Sequence, residues 1–167
     1  ALAAVWMERR GISPEDFAFN HPAGSLGKQL TLTAADLMVP LERLQPLQLS
    51  TPLPELIAHL TADGVGACWV ACRDDGARIH GLITDGDLRR ALQSYAPDAW
   101  RGLTAADLMT PDPITVLTST LAIEALERME RNRRKAIAVL PVVDGDQRMR
   151  GLLRLHDLVQ AGLKPGM

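Results

Sequence analysis

The stretch "GLITDGDLRR", residues 81–90, gathers a hydroxyl, two carboxylates and two guanidinium groups into ten positions. Its apolar start predicts a strand over 79–83 that ends at Thr84, and the polar remainder predicts a helix opening around Asp85 to Asp87. A strand that feeds a helix N-terminus leaves backbone N–H groups pointing outward, which suits an anion or a nucleotide. Thr84 offers a hydroxyl and Asp87 a carboxylate, and a carboxylate accepts two hydrogen bonds, matching the paired hydroxyls of a ribose. Asp85 borders the same turn. Arg89 and Arg90, on the helix that follows, suit phosphate or carboxylate. The plainer alternative is that Thr84 or Asp85 only caps the helix while the arginines face solvent. Both readings stand at this level.

A related stretch, "GLLRLHDLVQAG", begins at Gly151. There Arg154 takes the place of Thr84, and Asp157 the place of Asp87. A guanidinium in place of a hydroxyl means that the two positions do not bind alike: one stays empty or serves the other's ligand. His156 precedes Asp157, yet no further donors accompany the pair, so no metal is expected. The segment "RMERNRRKA", residues 128–136, is locally basic. A helix C-terminus favours cations, which accounts for part of this cluster. Arg133 and Arg134 are the members placed to meet an anionic ligand. Nucleic acid is not expected, because aromatic side chains and a broad basic face are missing. His21, in the Gly-, Pro- and Ser-dense stretch "FAFNHPAGSLGKQL" (17–30), reads from composition as part of a linker, with an acid/base role as the alternative.

Elements that would position these groups come in duplicate. "TAADLMVP" begins at Thr33 and "TAADLMTP" at Thr104, 71 residues on, while the two Gly-led stretches are 70 apart. Two landmarks at nearly one offset mark an internal repeat. Between them the order is the same: a short helix ending in Leu-Met, a turn or strand, a longer amphipathic helix (52–62 and 119–132), two strands and a closing helix. Thr51 and Ser119 are the expected helix caps, with Pro52 at the first helical position. "AIAVLPVV" (136–143) reads as a buried strand, and "DDG" (74–76) and "DGD" (144–146) as turns. Each half is then about β-α-β-β-α. So small a unit buries little surface alone, so the two should pack sheet to sheet.

The 167 residues are 47% hydrophobic, enough for a core, and carry a net charge of −2, which gives no general attraction to nucleic acid. No apolar run reaches the ~20 residues of a membrane span, and the start lacks a signal-peptide layout. "ALAAVWMERRG" reads as the end of a helix, so the chain is expected to be a piece of a longer protein. Cys68 and Cys72, on one face of an expected strand, lie too far apart for a disulfide and read as reduced thiols of a cytoplasmic protein.

Two β-α-β-β-α units, each led by "DLM" and closed by a Gly-apolar-apolar stretch ending in T-x-x-D, resemble a tandem CBS (cystathionine β-synthase-type) domain pair over about 33–163. The second copy departs from the motif at Arg154. The resemblance implies an α/β (α+β) fold, with the two repeats packed sheet to sheet as a Bateman module. It also implies nucleotide binding between the sheets and regulation of an attached enzyme or transporter. More narrowly, "EDFAFNHPAGSLGKQL" followed by "DLM", "TDGDLRR" and "LHDLVQAG" is similar to the C-terminal part of the D-arabinose 5-phosphate isomerase family. In that family a sugar isomerase domain precedes a CBS pair, and the reaction interconverts ribulose 5-phosphate and arabinose 5-phosphate, toward Kdo and lipopolysaccharide. The family's H-P-G-G-x-L-G appears as His21-Pro22-Ala23-Gly24-Ser25-Leu26-Gly27, departing at Ala23. The resemblance gives His21 a catalytic role and so displaces the linker reading.

The division implied is 1–32 as the tail of a sugar isomerase domain and linker, 33–95 as CBS domain 1 and 96–167 as CBS domain 2. The rest of an isomerase site is missing, so this chain alone is not expected to catalyse. No cofactor is required. The expected ligand is a nucleotide: CMP-Kdo as feedback product, or alternatively AMP or ATP. Thr84, Asp85, Asp87, Arg89, Arg90, Arg133, Arg134, Arg154, His156 and Asp157 are the candidate contacts. A homodimer is expected, with a higher homo-oligomer in the full protein. A purely structural dimerisation module is the other reading.

Overall fold

A computed structural model of the chain describes residues 30–62, 64–131 and 137–164. The repeated phrase explains itself first. Thr33 donates both its backbone N–H and its hydroxyl to one carboxylate oxygen of Asp36, at 2.8 and 2.7 Å. Thr104 does the same with Asp107, both at 2.8 Å. Each T-A-A-D is thus a capping box that allows a helix of only four residues. The first such helix is α1 (Ala34–Leu37), which runs into strand β1 (Val39–Pro40).

The first copy continues with α2 (Leu53–Ala62), β2 (Ala67–Ala71), β3 (Ile79–Thr84) and α3 (Asp85–Ser94). The second copy repeats the order: α4 (Ala105–Leu108), β4 (Thr110–Pro111), β5 (Val116–Leu117), α5 (Ala122–Arg131), β6 (Val139–Val143), β7 (Met149–Arg154) and α6 (Leu155–Gln160). Neither expected cap of the long helices is used. The Thr51 hydroxyl accepts from Gln48 N–H at 3.0 Å, and Pro52 precedes α2 instead of opening it. Ser119 lies in a turn, closed by Leu117 N–H donating to the Thr120 hydroxyl at 3.1 Å, and α5 starts only at Ala122. In both places a hydroxyl closes a local turn before the helix begins, the usual competition between turn and cap.

The strands form two sheets with the orders β1-β7-β6-β5 and β2-β3-β4. The copies therefore exchange their leading strands. Val39 pairs with Leu152, while Gly81 pairs with Pro111. The short helices cross over too: Ala34 N–H donates to Thr120 O, and Ala105 N–H to Thr51 O. A pseudo-two-fold axis relates the halves. Arg78 forms an antiparallel bridge with Arg148, its own repeat equivalent, and Met149 N–H donates to Ala77 O at 2.8 Å.

The core has three layers. Leu56, Ile83 and Leu108 pack the first sheet under its helices; Leu126, Leu140 and Leu158 do so for the second. Val39, Trp69, Leu82, Val139, Met149 and Leu152 fill the space between the sheets. Each fully buried leucine contributes about 1.5–3 kcal/mol. Cys68 and Cys72 form no disulfide; Cys68 is buried and Cys72 half-buried. β2 ends at Ala71, where the partner strand β3 carries one extra residue, and Cys72 N–H still donates to Arg78 O at 2.9 Å.

Candidate functional site

β3 ends at Thr84, and the chain turns directly into α3 there. Thr84 donates its hydroxyl and its N–H to Asp87 Oδ2, at 2.6 and 2.9 Å, and Asp87 N–H returns to the hydroxyl at 3.4 Å. Here the expected capping role is realised. Asp87 is only 9% exposed, and Arg90 Nη2 donates to its second oxygen, Oδ1. The Arg90 side chain is 49% exposed, so this pair is open to solvent on one side. The Arg89 side chain is exposed and makes no hydrogen bond or ion pair with the other described residues. Asp85 is exposed too, and its carboxylate lies against Gly66, whose φ is +67°.

The second junction has the same backbone and different chemistry. β7 ends at Arg154 and α6 begins at Leu155. Arg154 forks onto Asp157, with Nε to Oδ2 at 2.6 Å and Nη2 to Oδ1 at 2.7 Å. Its remaining arm, Nη1, donates to Gly64 O at 3.0 Å. The hydrogen bonds that Arg154 donates to Asp157 hold the guanidinium above its ordinary pKa, so it stays charged. His156 is exposed beside it.

Both junctions open into one cleft of about 1340 Å³. Thr84, Asp85, Gly86, Asp87, Arg89 and Arg90 form one wall, and Arg154, Leu155, His156 and Val159 the other. Val65, Leu82, Val139 and Leu140 make it apolar between them. Asp157 stands behind Arg154. Arg133, Arg134 and His21 lie outside the described residues. The cleft is larger than the ~300–1,000 Å³ of an ordinary small-molecule site. Two further parts of it were not anticipated. The Gly64–Gly66 loop supplies a carbonyl to Arg154, and its G-V-G sequence, with both glycines at positive φ, was the available signal. Pro113 and Ile114, from the loop before β5, also line the cleft; apolar loop residues give no such signal. Among the described residues no cluster of His, Cys, Asp and Glu could hold a metal, and no helix is long and apolar enough to cross a membrane.

Two exchanged sheets with a strand-to-helix junction from each facing a shared cleft define a tandem CBS pair. The chain belongs to the CBS domain family, whose model matches residues 34–94 and 105–164. It is also homologous to arabinose 5-phosphate isomerase KdsD of Pseudomonas aeruginosa, with 42% identity over 98% of this chain and 48% of that protein. The chain thus spans about half the length of the curated relatives it matches. Among solved structures it is similar to CBSX2 in complex with AMP, at 26% identity and a TM-score of 0.62, covering 78% of this chain and 96% of that one. The CBS domain of a bacterial CNNM/CorC family Mg2+ transporter in complex with ATP shares the fold, with 23% identity, a TM-score of 0.66 and coverage of 82% and 91%.

Proposed function

We propose that the chain is the nucleotide-sensing CBS pair of a KdsD-type arabinose 5-phosphate isomerase, from its C-terminal part, and that CMP-Kdo is its feedback ligand. The observation that carries this reading is one cleft shared by both junctions, with an Arg89 side chain that has no partner among the described residues on the wall where Thr84 and Asp87 stand. Similarity to KdsD supports the parent enzyme, and the AMP complex of CBSX2 supports a nucleotide. In this reading residues 1–32 are the tail of the isomerase domain and linker, 33–95 and 96–167 are the two CBS domains, and His21 belongs to the isomerase site. The protein is cytoplasmic and dimerises through the pair. The pair itself regulates and does not catalyse.

The chemistry of binding follows from Asp87. Its Oδ2 holds the helix cap, and its Oδ1 is held by the half-exposed Arg90. A nucleotide brings a replacement for both partners: its phosphate draws Arg90 away, and its ribose hydroxyls take Oδ1. The sugar carboxylate of CMP-Kdo gives Arg89 a partner as well. A cleft beyond ordinary size fits a nucleotide joined to an acidic sugar better than a nucleotide alone. Coupling to catalysis requires the ligand to favour one arrangement of the parent enzyme over another.

Calorimetric titration of the chain with CMP-Kdo, CMP, AMP and ATP tests this. The expected result is binding of CMP-Kdo above the others, weakened in Arg89→Ala. Preference for AMP or ATP replaces the feedback ligand with an adenine nucleotide. No heat with any of them, from folded dimeric protein, leaves a structural dimerisation module. The internal commitment of Arg154 to Asp157 is the observation that favours this second reading.

A further inference from the structure

The two walls of the cleft hold their aspartates in different states. Arg90 reaches Asp87 through one nitrogen, from a side chain 49% exposed. Arg154 reaches Asp157 through two, from a side chain 28% exposed, and its third arm is tied to Gly64 O. Gly64 belongs to the other copy, 90 positions away, in the loop that follows α2. The first contact is solvent-screened and replaceable; the second is bidentate, part-buried and anchored at both ends.

A guanidinium fork presents two parallel N–H donors to a carboxylate. A ribose presents two adjacent hydroxyl donors to the same kind of group. Arg154 therefore supplies to Asp157, from within the chain, what a ribose would supply. Its third bond ties that junction to the opposite copy. Volume is not the limit on a second ligand, since the cleft already exceeds an ordinary site.

We infer that Arg154 is a resident occupant of the second nucleotide place, restricting the chain to one nucleotide, held on the Thr84 side. The inference rests on the nucleotide-binding reading above. Arg154 is thereby a specificity-determining residue: it sets the stoichiometry and forces the two copies to differ.

The test is Arg154→Thr, which rebuilds in the second copy the T-x-x-D of the first. AMP and CMP serve as probes, with bound molecules per chain counted by calorimetry and native mass spectrometry. One nucleotide on the native chain and two on Arg154→Thr is the expected result. Two on the native chain overturns the inference, and so does one on a folded Arg154→Thr. Arg154→Lys keeps the charge without the fork and covers the case in which the threonine variant does not fold; it is expected to admit a second molecule more weakly, and an unchanged count of one overturns the inference. Binding by neither protein to either probe, or to CMP-Kdo, is a failure of the nucleotide reading itself. Amide exchange then judges the anchor without ligand: Gly64 to Ala67 should exchange faster in either variant, and unchanged exchange overturns it.

Discussion

Met38 fills the space over Gly151 that a side chain there would need. Met109 does the same over Gly81, so the Met of each "DLM" covers the Gly that opens the other copy's closing stretch. The two sequence landmarks of the repeat are thus two sides of one contact. The glycines recur because an exchanged strand crosses each of them, Pro40 opposite Gly151 and Pro111 opposite Gly81.

The two crossings differ in what can give way. A Cβ on Gly151 would meet the backbone carbonyl of Val39, whereas on Gly81 it would meet mainly the flexible Met109 side chain. Gly151→Ala is expected to cost about 1–3 kcal/mol, the usual range for overpacking. Gly81→Ala should cost distinctly less. Urea unfolding of both variants decides it, and equal losses would count against the crossing geometry.

Separating the copies should remove more than half of the stability. Residues 30–95 alone lack β4 and α4 over their core, and 96–164 alone lack β1 and α1. Neither piece is expected to show a cooperative thermal transition by circular dichroism. An equimolar mixture should recover one, because the exchanged strands can pair between chains.

The cap at Thr84 serves fold and cleft together. Thr84→Ala removes the hydroxyl that bonds Asp87 and should lower stability by about 1 kcal/mol. Asp87→Ala removes the carboxylate that accepts from the Thr84 N–H and hydroxyl and leaves Arg90 without its partner, so its melting temperature should fall further. Loss of nucleotide binding in Asp87→Ala bears on the cleft only when the melting curve shows folded protein at the titration temperature.

Acid should act through Asp36 and Asp144. Hydrogen bonds from the Thr33 hydroxyl and N–H hold the Asp36 carboxyl below its ordinary pKa. Asp144 is lowered chiefly by the Arg148 N–H, with further help from the Arg150 side chain and the Asp146 N–H. A carboxyl that is more acidic folded than unfolded stabilises the fold above its unfolded value, near pH 4, and loses that contribution as pH falls through the folded value. Melting temperature should therefore be flat near neutrality and fall below about pH 4. Asp36→Asn should melt lower at pH 7 and lose less on acidification.

Local spacing made much of this legible. The repeat, the junction after Ile83 and the short helices each lie within a few residues of their own signal. The exchange of β1 and β4 was not legible. Each is two residues long, and its partners lie far along the chain, so no periodicity announces the pairing. The caps at Thr51 and Ser119 were misplaced because turn and cap use the same residue types. Arg154 could be seen to differ from Thr84, but its bond to Gly64 depends on how the copies meet.

The crossed leading strands also limit how the module can move. Opening the space between the sheets would tear neither the β1–β7 nor the β3–β4 ladder, since each lies within one sheet, but it would expose Trp69, Met149 and Leu152 and break the Arg78–Arg148 bridge. Each exchanged strand also begins a strap between the sheets: the chain leaves one sheet at Pro40 and meets the other at Leu47, and it crosses back between Pro111 and Val116.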